Sequence, residues 1–366
     1  MERPTTLVHD VRWYDGDSED RARVEAELLT HGHPLPASAR VAWARAYPNV
    51  RNSLLVVGAP SGTAAAIALQ RHPSRALPGH YIVRVARTGA ALDAGVDAEA
   101  IRALTHAMRA DPRVIRVHFE CFSRDASVRD RIGDLLLNAG FERARQPASY
   151  DHTLVSELRG TDNATHLSSL SQGVRQNIRA LNKFPVELRP VRNVGDSARM
   201  NELMAVTFGR TGANHVNRDY APLIRLATEM PNLARLMGVY RTDGLGGSPL
   251  IAFALGVNHG DHVAYDIGAS TRVPEFKNLS LGYPLLWDLI TWARAQGVTW
   301  FDFGGISAGS AETDDPVGRI SDFKRRFEKR VERVSDEWTY VPHPARAAVA
   351  RLVSKIVELS RTRGRR

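Results

Sequence analysis

The chain has 366 residues, of which 43% are hydrophobic and 24% are charged; this is a globular composition, and its length predicts two domains. Cys121 is its one cysteine, which excludes an internal disulfide framework and a cysteine-based zinc site, so we expect a small buried residue in a reducing compartment. No apolar run reaches the roughly 18 residues of a membrane span and the N-terminus lacks a signal peptide's apolar core, so a cytoplasmic location is predicted.

The formal net charge of +9 favours a polyanionic partner. Nucleic acid, nucleotide-linked substrates and anionic lipid surfaces would all be attracted by this field. An arginine-rich composition also accompanies a high-GC genome, and the two explanations have about equal weight. The position of the charge is therefore more informative than its sum.

The first 155 residues alternate predicted helices and strands. An acidic first turn begins a helix in DSEDRARVEAELLT, and Ile101, Leu104 and Met108 share one face of the next helix. Gly140 ends a third helix, which follows the strand RVIRVHFECF. The remaining predicted strands are SLLVVGAP, TAAAIALQRHP, GHYIVRVA and YDHTLVSEL. This order predicts one α/β domain.

The second half repeats this order of elements without repeating the sequence. The turn-forming residues GTDN separate the two halves. Helices are predicted in NATHLSSLSQGVRQNIRALNKF, SARMNELMAVTFG, DYAPLIRLATEM and LLWDLITWARAQG, and strands in PVELRPV, ARLMGVYR, PLIAFALGVNH, DHVAYDIGAS and TWFDFGG. We therefore predict domains at residues 1–155 and 156–341, followed by a basic helix and tail at 342–366.

Three segments, LSQGVRQNIRALNK, GVTWFDFGGI and DFKRRFEKRVERVSDEWTYV, resemble Fem-type aminoacyltransferases and their acetyltransferase relatives in the GNAT superfamily. The likeness covers most of residues 150–341 by motif, and the first half only by its order of elements. It implies an α/β (α+β) fold of two tandem GNAT-like domains, each a mixed, mostly antiparallel sheet flanked by helices. It also implies transfer of an acyl group to an amine, typically an amino acid from aminoacyl-tRNA to a cell-wall peptide.

The pair Phe323-Lys324 is the most specific of these motifs. Fem-type enzymes carry a Phe-Lys pair before a Phe-Gly-Gly turn, and the resemblance implies that Lys324 lies at the reacting ester. A fixed ammonium stabilises the negative charge that develops on the carbonyl oxygen, and losing such a donor costs ~2.7–4 kcal/mol in barrier. Phe323 would stack on a base or hold the lysine stem. We expect both residues to be catalytic.

Two features of this block favour a simpler interpretation. Phe327-Glu328-Lys329 stands where the family has Phe-Gly-Gly, which removes the expected tight turn. Spacing alone would make Lys324, Arg325 and Arg326 one exposed side of a short helix. With the resemblance, Arg325 is predicted to bind substrate.

Asp302 ends the strand TWFDFGG and is followed by Gly304 and Gly305. Glycines at strand ends let the backbone approach a ligand, and a carboxylate there is suited to accept a proton from the attacking ammonium. A helix cap or a salt bridge to the basic block is an equally weighted alternative. Tyr265 and Asp266 lie on the neighbouring strand and are predicted to contact substrate.

Arg175, Arg179 and Lys183 fall on one stripe of a helix. A solvated basic face is the simpler interpretation. The Fem-type enzymes carry a similar Arg-Asn-Ile-Arg run, so the resemblance implies that this stripe binds substrate phosphates.

One segment of this chain matches the GNAT cofactor-binding loop only in part. GNAT acetyltransferases hold the cofactor pyrophosphate on a Gln/Arg-x-x-Gly-x-Gly/Ala loop at a helix N-terminus. Lys277, Ser280 and Gly282 occupy the matching positions, with a serine in place of the first glycine. These three residues are the candidate cofactor-binding residues.

No metal and no tightly bound cofactor are predicted. His215, His259 and His262 lack metal-ligand spacing. The co-substrate is expected to be aminoacyl-tRNA or acyl-CoA, and the degraded loop favours the former.

The C-terminal segment predicts an amphipathic helix. Val349, Leu352, Val353, Ile356 and Val357 form one stripe in ARAAVARLVSKIVELSRTRGRR, with basic residues beside it. Such a stripe usually packs on a core, which favours docking onto the first domain. Peripheral contact with the inner membrane leaflet or a clamp on tRNA is the alternative.

Three functions are therefore compatible with the sequence. The favoured one is transfer of an aminoacyl or related acyl group to an amine of a nucleotide- or lipid-linked cell-wall or polysaccharide precursor, with tRNA as a partner. The alternatives are an acyl-CoA-dependent GNAT N-acetyltransferase and a non-catalytic basic module that binds RNA or another polyanion. A monomer is expected.

Overall fold

The structure is a computed structural model of the chain, and it describes residues 10–58, 64–89, 95–211, 216–244, 249–276, 279–310, 312–313, 315 and 318–363. Its strands are β1 (Asp10–Asp15), β2 (Arg51–Gly58), β3 (Ala64–Pro73), β4 (Tyr81–Val85), β5 (Val114–Phe122), β6 (Glu142–Arg143), β7 (His152–Glu157), β8 (Val186–Pro190), β9 (Ala234–Arg241), β10 (Leu250–Asn258), β11 (His262–Ser270), β12 (Trp300–Gly305), β13 (Val331–Arg333) and β14 (Ser335–Tyr340). Its α-helices are α1 (Glu19–Thr30), α2 (Val41–Ala46), α3 (Asp97–Ala110), α4 (Ala126–Asn138), α5 (Asn163–Ser169), α6 (Gln172–Ala180), α7 (Asp196–Thr211), α8 (Ala221–Glu229), α9 (Gly282–Ala295), α10 (Gly318–Arg325) and α11 (Pro344–Arg363). Within these ranges, no helix is both long and apolar enough to cross a membrane.

The chain divides into two compact units. Unit 1 consists of Met1–Asp151 together with Val334–Arg366, and unit 2 consists of His152–Arg333. This division differs from the predicted segments because residues 334–366 return to unit 1. The physical reason is strand pairing, since β14 hydrogen-bonds to β5 on one side and to β6 on the other.

Unit 1 is built on a seven-stranded sheet of order β1-β2-β3-β4-β5-β14-β6. The β4–β5 pair is parallel and the other pairs are antiparallel. Helices α3 and α4 cover this sheet. Ile101, Leu104 and Met108 are buried, as the predicted helix face requires. They form one core with alternate strand residues such as Val117 and Phe119.

Unit 2 repeats this architecture with a sheet of order β13-β7-β12-β11-β10-β9-β8. Here β11–β12 is the parallel pair and the other pairs are antiparallel. Strand β10 is buried along its length except at Asn258, because α7 and α9 both pack against it. The predicted fold class, two mixed and mostly antiparallel sheets flanked by helices, is confirmed.

Helix α11 packs on unit 1 through small residues rather than through its large apolar ones. Ala347 and Ala350 are buried against Ile115 of β5. Val349, Leu352 and Ile356 are 51%, 60% and 57% exposed. The prediction that the apolar stripe docks on the first domain is therefore wrong for these three residues, because the helix lies against the sheet with its alanine face.

Candidate active site

Strands β11 and β12 separate where the candidate residues lie. Their parallel pairing joins His262–Ala264 to Trp300–Asp302. Beyond that point β11 continues to Ser270 and β12 to Gly305, and no further pairing joins them within the described residues. Two backbone edges therefore diverge from a common point, which leaves room for a ligand between them.

A β-bulge lies at the same level of β11. Leu255 pairs with Ile267 and Gly256 pairs with Tyr265, which makes Asp266 the extra residue. A bulge bends its strand and redirects side chains, and it commonly occurs beside functional sites. Asp266 is exposed and Tyr265 is partly buried. The two predicted substrate-contacting residues of β11 thus lie where this strand leaves β12.

Lys324 brings an ammonium group to the end of β12. It lies in α10, is 6% exposed, and its Nζ donates a 2.7 Å hydrogen bond to the carbonyl oxygen of Gly305. Its Nζ is also 5.8 Å from the ring centre of Tyr265. The interpretation of Lys324 as part of an exposed helical side is wrong, because the helix turns this side chain toward the sheet.

Asp302 is fully buried and hydrogen-bonded. Its Oδ1 lies 2.6 Å from Thr153 Oγ1, and it accepts a 2.8 Å hydrogen bond from the backbone N–H of Gly304. The carboxylate therefore fixes the strand end, and the expected helix cap is not what the structure has. Asp302 and Lys324 thus bind the adjacent residues Gly304 and Gly305, and these groups form one local network at the strand end.

The charge of Asp302 matters for Lys324. Burial lowers the pKa of the Lys324 ammonium to about 8, and the negative charge of Asp302 opposes that shift. Burial likewise raises the pKa of the Tyr265 hydroxyl to about 12, with a further contribution from Asp266. Near neutral pH the site thus holds a neutral phenol and a lysine that is protonated yet able to lose its proton.

Gly304 allows this close packing. Its backbone has φ +74°, a conformation that side chains rarely adopt, and an added Cβ would lie 2.9 Å from the carbonyl oxygen of Tyr265. The same Cβ would lie 3.4 Å from Lys324 Nζ. Glycine is therefore required here both for the turn and for the approach of β11.

Phe323 belongs to an aromatic cluster. Its ring centre is 5.1 Å from that of Tyr283 and 6.0 Å from that of Phe327. Phe327 also contacts Phe303 of β12, at 5.9 Å. The cluster anchors α10 on α9 and the sheet, which fixes the position of the neighbouring Lys324.

A cavity of about 700 Å³ opens beside this network in unit 2. Its walls come from β10, β11, the segment between β11 and α9, and the start of α10. Tyr265, Ser280, Gly282 and Phe323 line it together with Arg319, which was not predicted. Lys324 does not line the cavity, but its Nζ lies 5.8 Å from the ring centre of Tyr265, which does.

The start of α9 is already occupied by protein atoms. Asn177 accepts a 2.7 Å hydrogen bond from the backbone N–H of Ser280 through its Oδ1. An added Cβ on Gly282 would lie 3.0 Å from the ring of Phe323. The helix N-terminus is thus less available to a pyrophosphate than the GNAT pattern suggests. Lys277, the third residue of the predicted loop, lies outside the described residues.

The basic stripe predicted on α6 does not act as one unit. Arg175 donates a 2.8 Å hydrogen bond to the carbonyl oxygen of Ser168 and a second one to that of Leu170, which satisfies the end of α5. Arg179 and Lys183 are exposed. Of the three, Arg175 therefore has a structural role in this arrangement.

Arg325 is held by the segment that follows β12. It donates hydrogen bonds of 2.9 Å to the carbonyl oxygen of Gly309 and 2.5 Å to that of Ser307, and it pairs with Asp322 at 3.0 Å. These contacts anchor the loop above the network. They leave Arg325 less suited to bind substrate than the sequence predicts.

Glu328 replaces the expected glycine turn. Its Oε1 accepts hydrogen bonds of 2.8 Å from the backbone N–H of Lys329 and 3.1 Å from that of Arg330. A side-chain carboxylate thus holds the turn that a Phe-Gly-Gly sequence would form with backbone alone. Phe327 is 7% exposed and keeps its place in the core.

Two residues of the site have roles that the sequence pattern does not predict. Thr153 contacts Asp302, 149 positions away in the sequence, only because β7 pairs with β12, and no local pattern reveals this. Asn177 lies inside the motif LSQGVRQNIRALNK, so the signal was present but its role was not. The described residues hold no cluster of acidic, histidine or cysteine side chains fit for a metal ion. His215 lies outside them.

Comparison with known proteins agrees with this geometry. Residues 168–325 match the family described as acetyltransferase (GNAT) domain. The solved structure of FemX is similar with a TM-score of 0.68 at 14% identity, covering 87% of this chain and 96% of FemX. A tandem GNAT protein from the clavulanic acid biosynthesis pathway is similar with a TM-score of 0.52 at 13% identity, covering 92% of this chain and 99% of that protein. Among curated proteins, no sequence matches. The predicted tandem GNAT fold and the predicted enzyme class, an acyltransferase, are confirmed.

Proposed function

We propose that this acyltransferase moves an aminoacyl or related acyl group to an amine of a cell-wall or polysaccharide precursor; the match of residues 168–325 to the acetyltransferase (GNAT) domain family supports acyl transfer. The observation that supports this most is the buried Lys324 ammonium, held 2.7 Å from Gly305 O where β11 and β12 diverge. A carbonyl group placed between the diverging strands would lie next to this positive charge.

In this proposal Lys324 stabilises the oxyanion. The acceptor amine attacks the ester carbonyl, a C–N bond forms, and negative charge builds on the carbonyl oxygen before the C–O bond breaks. The amine then gives up its proton and the leaving hydroxyl gains one. An ammonium that is already fixed and desolvated stabilises that charge without reorganising.

Asp302 takes a different role from the predicted proton acceptor. The carboxylate of Asp302 is fully buried and is hydrogen-bonded to Thr153 and Gly304. We therefore infer that Asp302 helps to position Lys324 and to keep it protonated, and that it does not contact substrate. Its charge offsets part of the burial cost of the ammonium. Asp302 is therefore a positioning residue, and Phe323 is another, since its ring packs against Tyr283 and Phe327 and so anchors the helix that carries Lys324.

Aminoacyl-tRNA is the donor that we favour. Asn177 uses the Ser280 N–H and Phe323 lies against Gly282, so the start of α9 has little capacity for the pyrophosphate of a coenzyme A donor. The cavity of about 700 Å³ is lined partly by aromatic side chains, which suit the terminal base of a tRNA. A cytoplasmic location follows from this choice of donor.

An acyl-CoA donor is the second candidate. The matching family is one of acetyltransferases, and Arg272 and Arg319 both line the cavity, where they would attract phosphate. If acyl-CoA is the donor, small amines are candidate acceptors as well as cell-wall precursors, so the assay below includes both.

The two donors are separated by a transfer assay with the purified protein. Radiolabelled aminoacyl-tRNA and acetyl-CoA are supplied in turn with a UDP-linked muropeptide and with simple amines, and the labelled amide product is measured. We expect product from aminoacyl-tRNA, greatly reduced in Lys324→Ala and unchanged in Arg326→Ala, whose side chain is exposed. Product from acetyl-CoA alone would overturn the proposed donor. Full activity of Lys324→Ala would overturn the proposed mechanism.

A further inference from the structure

Helix α11 has an apolar stripe that faces away from unit 1. Val349, Leu352 and Ile356 follow helical spacing and are each more than half exposed, with values of 51%, 60% and 57%. The helix instead buries Ala347 and Ala350. A helix that only served to cover the sheet would place its large apolar side chains inside. The exposed stripe therefore requires another partner.

The charged side chains beside the apolar stripe are basic. Arg351 and Lys355 are exposed and make no ion pair with any side chain that the structure describes. The sequence from Pro344 to Arg366 contains seven arginines and lysines and a single acidic residue, Glu358. The partner must therefore be apolar enough to cover the stripe and negative enough to match the cations.

We propose that the stripe of Val349, Leu352 and Ile356 on α11, flanked by Arg351 and Lys355, lies on the surface of an anionic lipid bilayer. A basic helix with a bulky aliphatic face inserts that face at the level of the acyl chains and keeps its cations among the headgroups. The inference is independent of the proposed reaction and concerns where the enzyme works.

Charge distinguishes this partner from a second copy of the chain. Two copies of α11 joined through the stripe would bring Arg351 and Lys355 of each close to the same residues of the other, and like charges oppose such pairing. An anionic headgroup layer has the opposite sign. The observed charges thus favour the bilayer over self-association.

Vesicle co-sedimentation of the full chain tests the proposal. We expect the protein to sediment with vesicles containing about one third phosphatidylglycerol, and only weakly with pure phosphatidylcholine. Leu352→Ser/Ile356→Ser should weaken binding to the anionic vesicles at least about tenfold. Arg351→Gln/Lys355→Gln should weaken it and flatten its salt dependence. All four side chains are exposed, so these variants should fold.

A matched control removes the same charge elsewhere. Arg145→Gln/Arg159→Gln deletes two exposed arginines, one in each unit, and should bind vesicles like the wild type. If this control loses as much binding as Arg351→Gln/Lys355→Gln, net charge and not α11 is responsible and the proposal is wrong. The proposal is also wrong if the wild type ignores anionic vesicles, or if it is a dimer that Leu352→Ser/Ile356→Ser converts to a monomer.

A site-specific probe reports the insertion itself. Cys121 is fully buried, so a cysteine introduced by Ile356→Cys can be labelled selectively with an environment-sensitive maleimide dye. Its emission should shift to the blue on adding anionic vesicles. The same dye at Ser354→Cys, on the other side of the helix, should shift much less. Equal shifts at both positions would contradict an inserted stripe.

Discussion

Lys324 Nζ and the carbonyl oxygen of Gly305 are joined by a 2.7 Å hydrogen bond, which ties helix α10 to the end of strand β12. The Lys324 side chain is 6% exposed, and burying its ammonium costs folding free energy because burial disfavours the charged form. A buried ammonium therefore indicates a functional role. Its position beside the diverging strands is what connects the fold to acyl transfer.

The first prediction concerns the charge of Lys324. Lys324→Met should lower kcat by roughly 10²–10³, the usual effect of losing one oxyanion donor, with little change in KM. Its effect on stability should be modest, because relief of the buried ammonium is offset by loss of the hydrogen bond to Gly305 and of the cation near the buried Asp302. Steady-state kinetics and urea unfolding measure the two effects. A large loss of stability with unchanged kcat would mean that Lys324 is structural.

The second prediction concerns pH. The pKa of Lys324 is about 8 in the folded protein and 10.5 when exposed. If the ammonium is needed, kcat/KM should fall as pH rises through about 8, and Lys324→Met should lack this falling limb. Activity that rises through pH 8 only when Lys324 is present would make the lysine a general base.

Stability should move in the opposite direction. Between pH 8 and 10.5 the unfolded lysine holds a proton that the folded one has lost, so the free energy of unfolding should rise with pH in this window. The gain is at most about 3 kcal/mol and should be missing in Lys324→Met. Urea denaturation at several pH values measures it. The same stability increase in Lys324→Met would assign the effect to another group.

The third prediction concerns Gly304. Gly304→Ala should cost about 1–2 kcal/mol more than Gly160→Ala. Both glycines are left-handed, with φ +74° and +72°, but an added Cβ at Gly160 meets nothing within 4 Å among the described residues. The difference in unfolding free energy isolates the 2.9 Å crowding against Tyr265. Equal costs would show that β11 yields easily at this point.

The fourth prediction concerns Asn177. Asn177→Ala frees the N–H of Ser280 at the start of α9, so binding of coenzyme A should strengthen if this N–H can contact phosphate. Isothermal titration with coenzyme A measures the change, and Asn182→Ala, an exposed asparagine nearby, is the control. Tight binding by the wild type, unaltered in Asn177→Ala, would favour the acyl-CoA donor.

Local patterns predict the elements of this protein better than their partners. The α3 face and the strands of both halves follow from periodicity, because each depends on neighbouring residues. Strand β14 was not predicted as a strand of unit 1. Its sequence, SDEWTY, alternates weakly, and its place between β5 and β6 depends on pairing with residues roughly 200 positions earlier in the chain.

The site shows the same limit. The motif identified Phe323-Lys324 and the strand end identified Asp302, and in the structure Lys324 and Asp302 bind adjacent residues of that strand end, Gly305 and Gly304. The sequence could not show that Arg175 and Arg325 donate hydrogen bonds to backbone carbonyl oxygens, because those contacts depend on loop geometry. Nor could it show which side of α11 faces the sheet, since alanines and larger apolar residues alternate along the helix.

The return of the chain to unit 1 has a consequence for its synthesis. One edge of strand β5 stays unpaired until β14 is synthesised, and the ribosome makes β14 only after the whole of unit 2. At roughly 5–20 residues per second this takes on the order of ten seconds or more. Meanwhile the apolar strand VIRVHFECF has an unpaired edge, the kind of surface that aggregates or recruits chaperones. Unit 2 can thus fold first, although it begins later in the chain.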